Sequence, residues 1–193
     1  MGEALVREAV EEAVVAVLRE KGLAGLTMDA VAETAGVAKG TLYNYFTNKD
    51  DLLEAAHQRL FRPLEEQLDA LMARRDVSVV ELLREIMHMV LNYVEQDRAT
   101  LFILHECPSL AQTRARKERE FVEDVARLIQ RGIKRGELRR QDPHATAWFI
   151  LGLLSFACRG PQERPELCPP VQRLPEWATE FLLHGVVRCP ARG

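Results

Sequence analysis

Between Lys39 and Phe46 the chain reads Lys-Gly-Thr-Leu-Tyr-Asn-Tyr-Phe. This short stretch brings together an ammonium, a hydroxyl, a carboxamide and two phenols. Such groups pair with phosphate, hydrogen-bond to base edges and stack. Leu42 and Phe46 are four apart and turn inward on a helix, which leaves Lys39, Thr41, Tyr43, Asn44 and Tyr45 facing out. A helix this short with so polar a face is built for contact more than for packing. Upstream, Thr27 stands where its hydroxyl can accept a bond from a free N–H of a first helical turn. Val31, Ala32 and Ala35 then form an apolar stripe, Gly36 sits where a left-handed cap residue belongs, and Val37 is placed to plug the space between two helices. A short helix, a glycine turn and a polar-tipped second helix make a helix-turn-helix, whose second helix enters the major groove of DNA. On this reading Lys39 pairs with a phosphate or a guanine edge, and Thr41 and Tyr43 reach bases or phosphates. Tyr45 and Lys49 hold the DNA backbone, and Thr27 meets a phosphate at a helix N-terminus.

Other residues could do chemistry and are weaker candidates. His105, Glu106 and Cys107 are adjacent, but two donors two apart at a helix end do not make a tetrahedral metal set. No third group or oxyanion motif turns them into an acid–base or nucleophilic site. Neither a metal, a cofactor nor an enzymatic activity is expected. The four cysteines, Cys107, Cys158, Cys168 and Cys189, fit no zinc spacing. A loop could bring Cys158 and Cys168 together as a redox sensor, but reduced thiols are the default in a cytoplasmic chain. Arg114, Arg116, Lys117, Arg119, Arg127, Arg131, Lys134 and Arg135 give one helix a basic outer side. It could receive an acidic ligand or a nucleotide-bearing thioester; a solvated face is the simpler reading.

These groups must be held by helices. Ala4 to Lys21 carries Val6, Val10, Ala13 and Val17 on one face and stops at Gly22; Leu26 joins the same small core. Residues 47–74 form a longer helix with Asp50 and Asp51 near its start, where the helix dipole favours anions. Pro63 inside it should kink or interrupt it. Helices follow over 78–96, 97–106 and 109–136. Asp142 caps the next one, with Pro143 at its first position, and it runs to about Cys158. Residues 159–173, with Gly160, Pro161, Pro165, Pro169 and Pro170, read as a loop. A last helix runs from Leu174 to about Arg188, and a frayed tail follows from Cys189. Nothing alternates at period two. The fold expected is all-α, of about nine helices: a three-helix helix-turn-helix domain over 1–48 and a larger helical domain over 49–193.

Composition bounds the rest. The chain has 193 residues, 47% of them hydrophobic, enough for a sizeable core. No secretory signal is visible, and the run from Ala145 to Cys158 is too short to span a membrane. A cytoplasmic protein is expected. The formal net charge is −3, and the first fifty residues hold five cations against eight anions. A domain that grips phosphates is usually more basic. Lys39 and Lys49 nevertheless bracket the proposed recognition helix, and backbone amides bind phosphate without formal charge. Weak non-specific binding is the expected consequence. Helix-turn-helix proteins pair on palindromic sites. The run Trp148, Phe149, Leu151, Leu153, Leu154 and Phe156 is apolar nearly all round, so the helix should be buried on every side, one of them against a partner.

The stretch from Leu26 to Leu53 resembles the DNA-binding signature of the TetR family of bacterial transcriptional regulators. The resemblance rests on Thr27, Val31-Ala32, Ala35-Gly36-Val37, Gly40-Thr41-Leu42-Tyr43, Tyr45-Phe46 and Asn48-Lys49-Asp50-Asp51-Leu52-Leu53. At Ala38 the family often has Ser or Thr, so a helix cap and a phosphate contact are missing here. The resemblance implies a ligand-responsive regulator, most simply a repressor, on double-stranded operator DNA. It implies a homodimer through the last two helices, here Trp148, Leu151, Leu154, Phe156, Trp177, Phe181 and Gly185. It also implies a pocket for a small, largely apolar effector, with Met87, Met89, Tyr93, Leu101, Phe102, Leu104, His105, Phe121, Val125 and Trp148 as candidate lining. The alternatives are a helical protein-binding module that keeps the fold with weak DNA affinity, supported by the acidic first fifty residues, and a small helical enzyme.

Overall fold

The computed structural model describes residues 3–168 and 170–186. Among them are nine α-helices and no strand: α1 Glu3–Gly25, α2 Met28–Ala35, α3 Lys39–Tyr43, α4 Lys49–Ala73, α5 Val79–Gln96, α6 Arg98–Glu106, α7 Ala111–Lys134, α8 Pro143–Glu163 and α9 Leu174–Val186. They divide into two compact units. The first takes residues 1–63 and 97–114; the second takes 64–96 and 115–193.

The first unit is built on α1. Its stripe of Val6, Val10, Ala13 and Val17 is buried, as expected, and Val14, Val15 and Leu18 widen it. They pack with Leu26, Val31, Ala32, Leu42, Phe46, Leu52 and Leu53 into one core, which Leu104, Cys107 and Leu110 complete from α6 and the turn after it. Gly22 breaks α1 with φ 64°, but the chain then takes one more turn to Gly25. Ion pairs tie the elements over this core. Arg59 on α4 reaches Glu8 at 3.3 Å and also Glu12, both on α1. Arg19 meets Asp97, just before α6, at 2.7 Å.

The second unit packs α5 against α8 and α9. Leu82, Leu83, Ile86 and Met87 of α5, Val125 and Ile129 of α7, Ile150 and Leu154 of α8, and Leu182 and Leu183 of α9 are buried. The basic outer side of α7 is laced with ion pairs: Arg116 with Glu120 at 3.7 Å, Lys117 with Glu65 at 3.0 Å, and Arg127 with Asp124. That is the pattern of a solvated face.

Two expectations need correction. Helix α8 does not end near Cys158 but continues through Gly160 and Pro161 to Glu163. A proline removes its own N–H bond and crowds the carbonyl four residues back, but only two helical residues follow Pro161, so little helix is put at risk. The second helix of the helix-turn-helix is shorter than 39–46: it ends at Tyr43, and Asn44 and Tyr45 form a turn. Helix α8 leaves one side open in the single chain, as the expectation of a partner on one side requires. Trp148, Phe149 and Phe156 are 63%, 68% and 67% exposed. Pro63 lies inside an uninterrupted α4. The end of the chain, including Cys189, lies outside the described residues, as do the surroundings of Gly185.

Candidate nucleic-acid interface

The site begins at Thr27. Its backbone is extended (φ −132°), and its hydroxyl oxygen accepts the Ala30 N–H at 3.1 Å, capping α2. The hydroxyl therefore has a structural duty of its own. Helix α2 closes at Gly36, whose φ of 66° lies in the left-handed region that a side chain disfavours. The Gly36 and Val37 N–H groups return to the Glu33 and Ala32 carbonyls at 3.2 and 3.1 Å. This turns the chain into α3.

Helix α3 is anchored from beneath. Leu42 is 0% exposed and Phe46 2%, both in the core of the first unit. The Tyr45 and Phe46 N–H groups both return to the Leu42 carbonyl at 3.0 Å, so the turn after α3 hangs from the same anchored residue. Ala38 precedes the helix without any side-chain cap. On the outer side Ala38, Lys39, Gly40, Tyr43 and Asn44 are exposed, and Thr41 and Tyr45 are half-buried. A Cβ added at Gly40 would meet nothing within 4 Å, so the fold leaves a flat place there without needing one.

The two cations are both engaged. The Lys39 ammonium stands 2.5 Å from a carboxylate oxygen of Asp29, on α2. The hydrogen bond to Asp29, then its charge, raises the Lys39 pKa, so Lys39 stays protonated while its charge is met locally. Lys49 is half-buried, and its Nζ donates to the Leu23 carbonyl at 2.6 Å, pinning the start of α4 to the end of α1. The Leu23 carbonyl accepts a bond without cancelling the charge. Asp29 had no signal in the sequence, because its pairing with Lys39 depends on the angle between two helices.

Helix α4 is capped by Asp51, expected near its start, and by Asn48. The Asp51 carboxylate accepts the Thr47 N–H at 2.7 Å, and Asn48 Oδ1 accepts the Asp51 N–H at 3.0 Å. The two bonds make a variant of the capping box in which the N3 carboxylate reaches one residue beyond the N-cap. The Thr47 hydroxyl, then the Thr47 N–H, hold the Asp51 carboxyl below the ordinary carboxylate range. Arg7 of α1 lies 5.7 Å from the Phe46 ring centre, over the edge of the same core.

Residues 12–56 match the family model described as bacterial regulatory proteins, tetR family, and residues 76–159 match the tetracyclin repressor-like, C-terminal domain. The chain belongs to the TetR family. It is therefore a DNA-binding transcriptional regulator of the helix-turn-helix type. YhgD, a helix-turn-helix-type transcriptional regulator of Bacillus subtilis, is 27% identical over 137 residues, 68% of this chain and 71% of that protein. SlmA, a nucleoid occlusion factor of Marinobacter nauticus, is 26% identical over 140 residues, 69% of each chain. Among solved structures, the SmeT–triclosan complex superposes with a TM-score of 0.82 at 24% identity, over 95% of this chain and 92% of that one. SmeT is the repressor of the Stenotrophomonas maltophilia multidrug efflux pump SmeDEF. This likeness is one of fold.

The residues expected to line an effector pocket of this TetR-family chain fall in different places. Leu101, Phe102, Leu104 and His105 belong to the first unit, where Leu104 is part of the core under the helix-turn-helix. Met87, Met89, Tyr93, Phe121, Val125 and Trp148 belong to the second. Met87 and Val125 are fully buried, and Trp148 faces solvent. The residues expected to pair two chains also divide. Trp148, Phe156, Trp177 and Phe181 are exposed, the last by 76%, whereas Leu154 is buried and Leu151 half-buried. Leu154 thus packs within its own chain. Phe149, against Trp148 in an edge-on contact at 5.4 Å, takes its place on the outer face. Among the described residues no three His, Cys, Asp or Glu side chains group as a metal would need, and no helix is long and apolar enough to cross a membrane.

Proposed function

We propose that this regulator is a repressor that binds palindromic operator DNA as a homodimer and is released by a small, largely apolar effector. Residues 1–48 grip the DNA; residues 49–193 carry effector binding and pairing, in the cytoplasm. The observation that carries the DNA part is α3 itself: Leu42 and Phe46 lock it from below, while Tyr43, Asn44 and flat Gly40 face outward. On this reading Ala38 and Gly40 let the DNA backbone approach closely, and Lys39, Thr41, Tyr43 and Asn44 make the contacts in the groove. Thr27, Tyr45 and Lys49 meet the flanking phosphates. Pairing is supported by the exposed stripe Trp148, Phe149, Gly152 and Phe156 on α8, together with Trp177 and Phe181 on α9. Aromatic faces of this kind mark interaction surfaces. A two-fold partner would cover each with its own copy. Release requires that the effector bind the DNA-incompetent state more tightly than the competent one. SmeT, the efflux-pump repressor whose complex with triclosan shares this fold, supports an apolar effector.

A second reading is favoured by the Lys39–Asp29 pair, which meets the charge of the recognition helix before any DNA arrives. A protein-binding module with weak DNA affinity would look the same. Selecting bound duplexes from a random pool at low salt, followed by sequencing, separates the two. Enrichment of a palindrome with matching half-sites supports the operator reading. No enrichment of any sequence would move the protein-binding reading ahead.

A further inference from the structure

The ten residues 131–140 carry five cations, Arg131, Lys134, Arg135, Arg139 and Arg140, and one anion, Glu137, in a chain whose formal net charge is −3. The fold adds the loop after α4 to this concentration. The Arg135 guanidinium donates to the carbonyls of Arg75 at 2.8 Å and Val77 at 3.3 Å. The end of α7 is held closely in place. Gly136 has φ 75°, and a Cβ at Gly132 would stand 2.8 Å from the Leu138 side chain and 2.9 Å from that of Val79. The carboxylate in this group is already engaged: Glu137 accepts the Val79 N–H at the start of α5 and lies 3.7 Å from Arg135. Arg74 is paired with Glu85 at 2.8 Å.

Arg131, one turn before Arg135 on α7, is different from the paired arginines further up the helix. Its Nε and Nη2 are shut off from solvent and meet no acceptor. Buried donors of this kind are rare because each has given up water without a replacement, so each calls for an explanation such as an absent ion. Burial, then the charges of Arg75 and Arg135, lower the Arg131 pKa, and a guanidinium keeps its proton nonetheless. Arg75, Arg131 and Arg135 against Glu137 leave two positive charges unmatched.

We propose that Arg75, Arg131 and Arg135 form a binding site for a phosphate group, free or as a small monoester, where the loop after α4, the start of α5 and the end of α7 meet, the covered Arg131 guanidinium turning outward to reach it. A phosphate carries close to two negative charges and three acceptor oxygens pointing in different directions, which suits guanidinium forks arriving from a loop and a helix. A carboxylate supplies one charge in one plane. All three arginines belong to the second unit, and failure of the site would leave the operator reading untouched.

The test uses the full chain and inorganic phosphate, with ionic strength held constant by chloride. At about a hundred times its Kd, phosphate should raise the Tm by about 5 °C, and titration calorimetry should find one site per chain. Arg131→Gln should weaken binding at least tenfold, while Arg127→Gln, on an exposed residue paired with Asp124, should leave it unchanged. If Arg131→Gln melts early in chloride alone, Arg75→Gln on the exposed loop carries the same test. Tighter binding of glycerol phosphate than of inorganic phosphate would identify the monoester as the source, and the reverse would identify the free ion. No response in the wild-type chain, or an equal response in Arg131→Gln and Arg75→Gln, overturns the site. A response to duplex DNA alone, lost in the same variants, also overturns it by assigning the cluster to nucleic acid.

Discussion

Helices α3 and α8 both leave large side chains outside, for opposite reasons. Helix α3 has five residues and owes its position to what lies beneath it, Leu42 and Phe46 in the core and the turn at Gly36. What it exposes is polar and partly satisfied already, Lys39 by Asp29. Helix α8 has twenty-one residues and is positioned by the buried Ala147, Ile150, Leu154, Ala157 and Gly160. What it exposes is aromatic and gains nothing from water. The first surface is stable when bare and can await a ligand; the second is left at a standing cost in the single chain. On the operator reading, such a difference separates a face that meets DNA reversibly from one that a second copy covers.

The largest effect should come from attacking the face that needs covering. Phe156→Arg places a charge in the middle of the aromatic stripe, and burying it unpaired costs several kcal/mol. Sedimentation should show monomers, and operator affinity should fall by about a thousandfold as the two half-sites are no longer read together. An unchanged sedimentation profile would mean the stripe is covered by something else. Next, Tyr43→Ala removes the most prominent outward group of α3 without touching Leu42. Operator binding should drop by about 2 kcal/mol, within the range of a good base contact, with the dimer intact by sedimentation. Retained affinity would place the reading surface elsewhere.

A smaller effect sharpens the contrast in charge. Asp29→Asn frees Lys39 and removes an anion beside it, so affinity for any duplex should rise severalfold at low salt, and the slope of log affinity against log salt should steepen by about one. If Lys39 already turns to DNA at no cost, neither will change. The smallest concerns the cap of α4. The Asp51 pKa is depressed in the folded chain, so its contribution to stability is complete above the ordinary carboxylate pKa and is lost as pH falls through the lower, folded value. Wild type should be more stable than Asp51→Asn at neutral pH, with the gap closing on the acid side. A gap that stays constant would mean the cap acts through shape and not through charge.

Much of the first unit was legible in the sequence because its devices are local. Thr27 caps within three residues, Gly36 turns within one, and Leu42 with Phe46 needs only helical spacing. The end of α8 was not legible, because Gly160-Pro161 reads as a breaker unless one knows that it falls in the last turn. The short α3 escaped for a related reason: Asn44 and Tyr45 keep the Leu42 carbonyl as partner or neighbour but tighten into a turn. Pairings across elements, Lys39 with Asp29 and Glu137 with the Val79 N–H, depend on how helices cross, which spacing along the chain does not encode. The apolar run of α8 was read correctly for composition but not for its sides: Leu154 turns inward and Phe149 outward, which a run apolar nearly all round does not distinguish.

Gly40 carries a consequence for how this sequence is free to drift. Glycines at Gly36 and Gly132 are demanded by the molecule itself, by a left-handed backbone and by contact with Leu138 and Val79. Gly40 is demanded by neither, so an alanine there should leave abundance in the cell untouched. In a library scored separately for protein level and for silencing of a reporter, losses at Gly36 and Gly132 would register in both readouts. A loss at Gly40 would register in silencing alone, and the position would then record the footprint of the DNA.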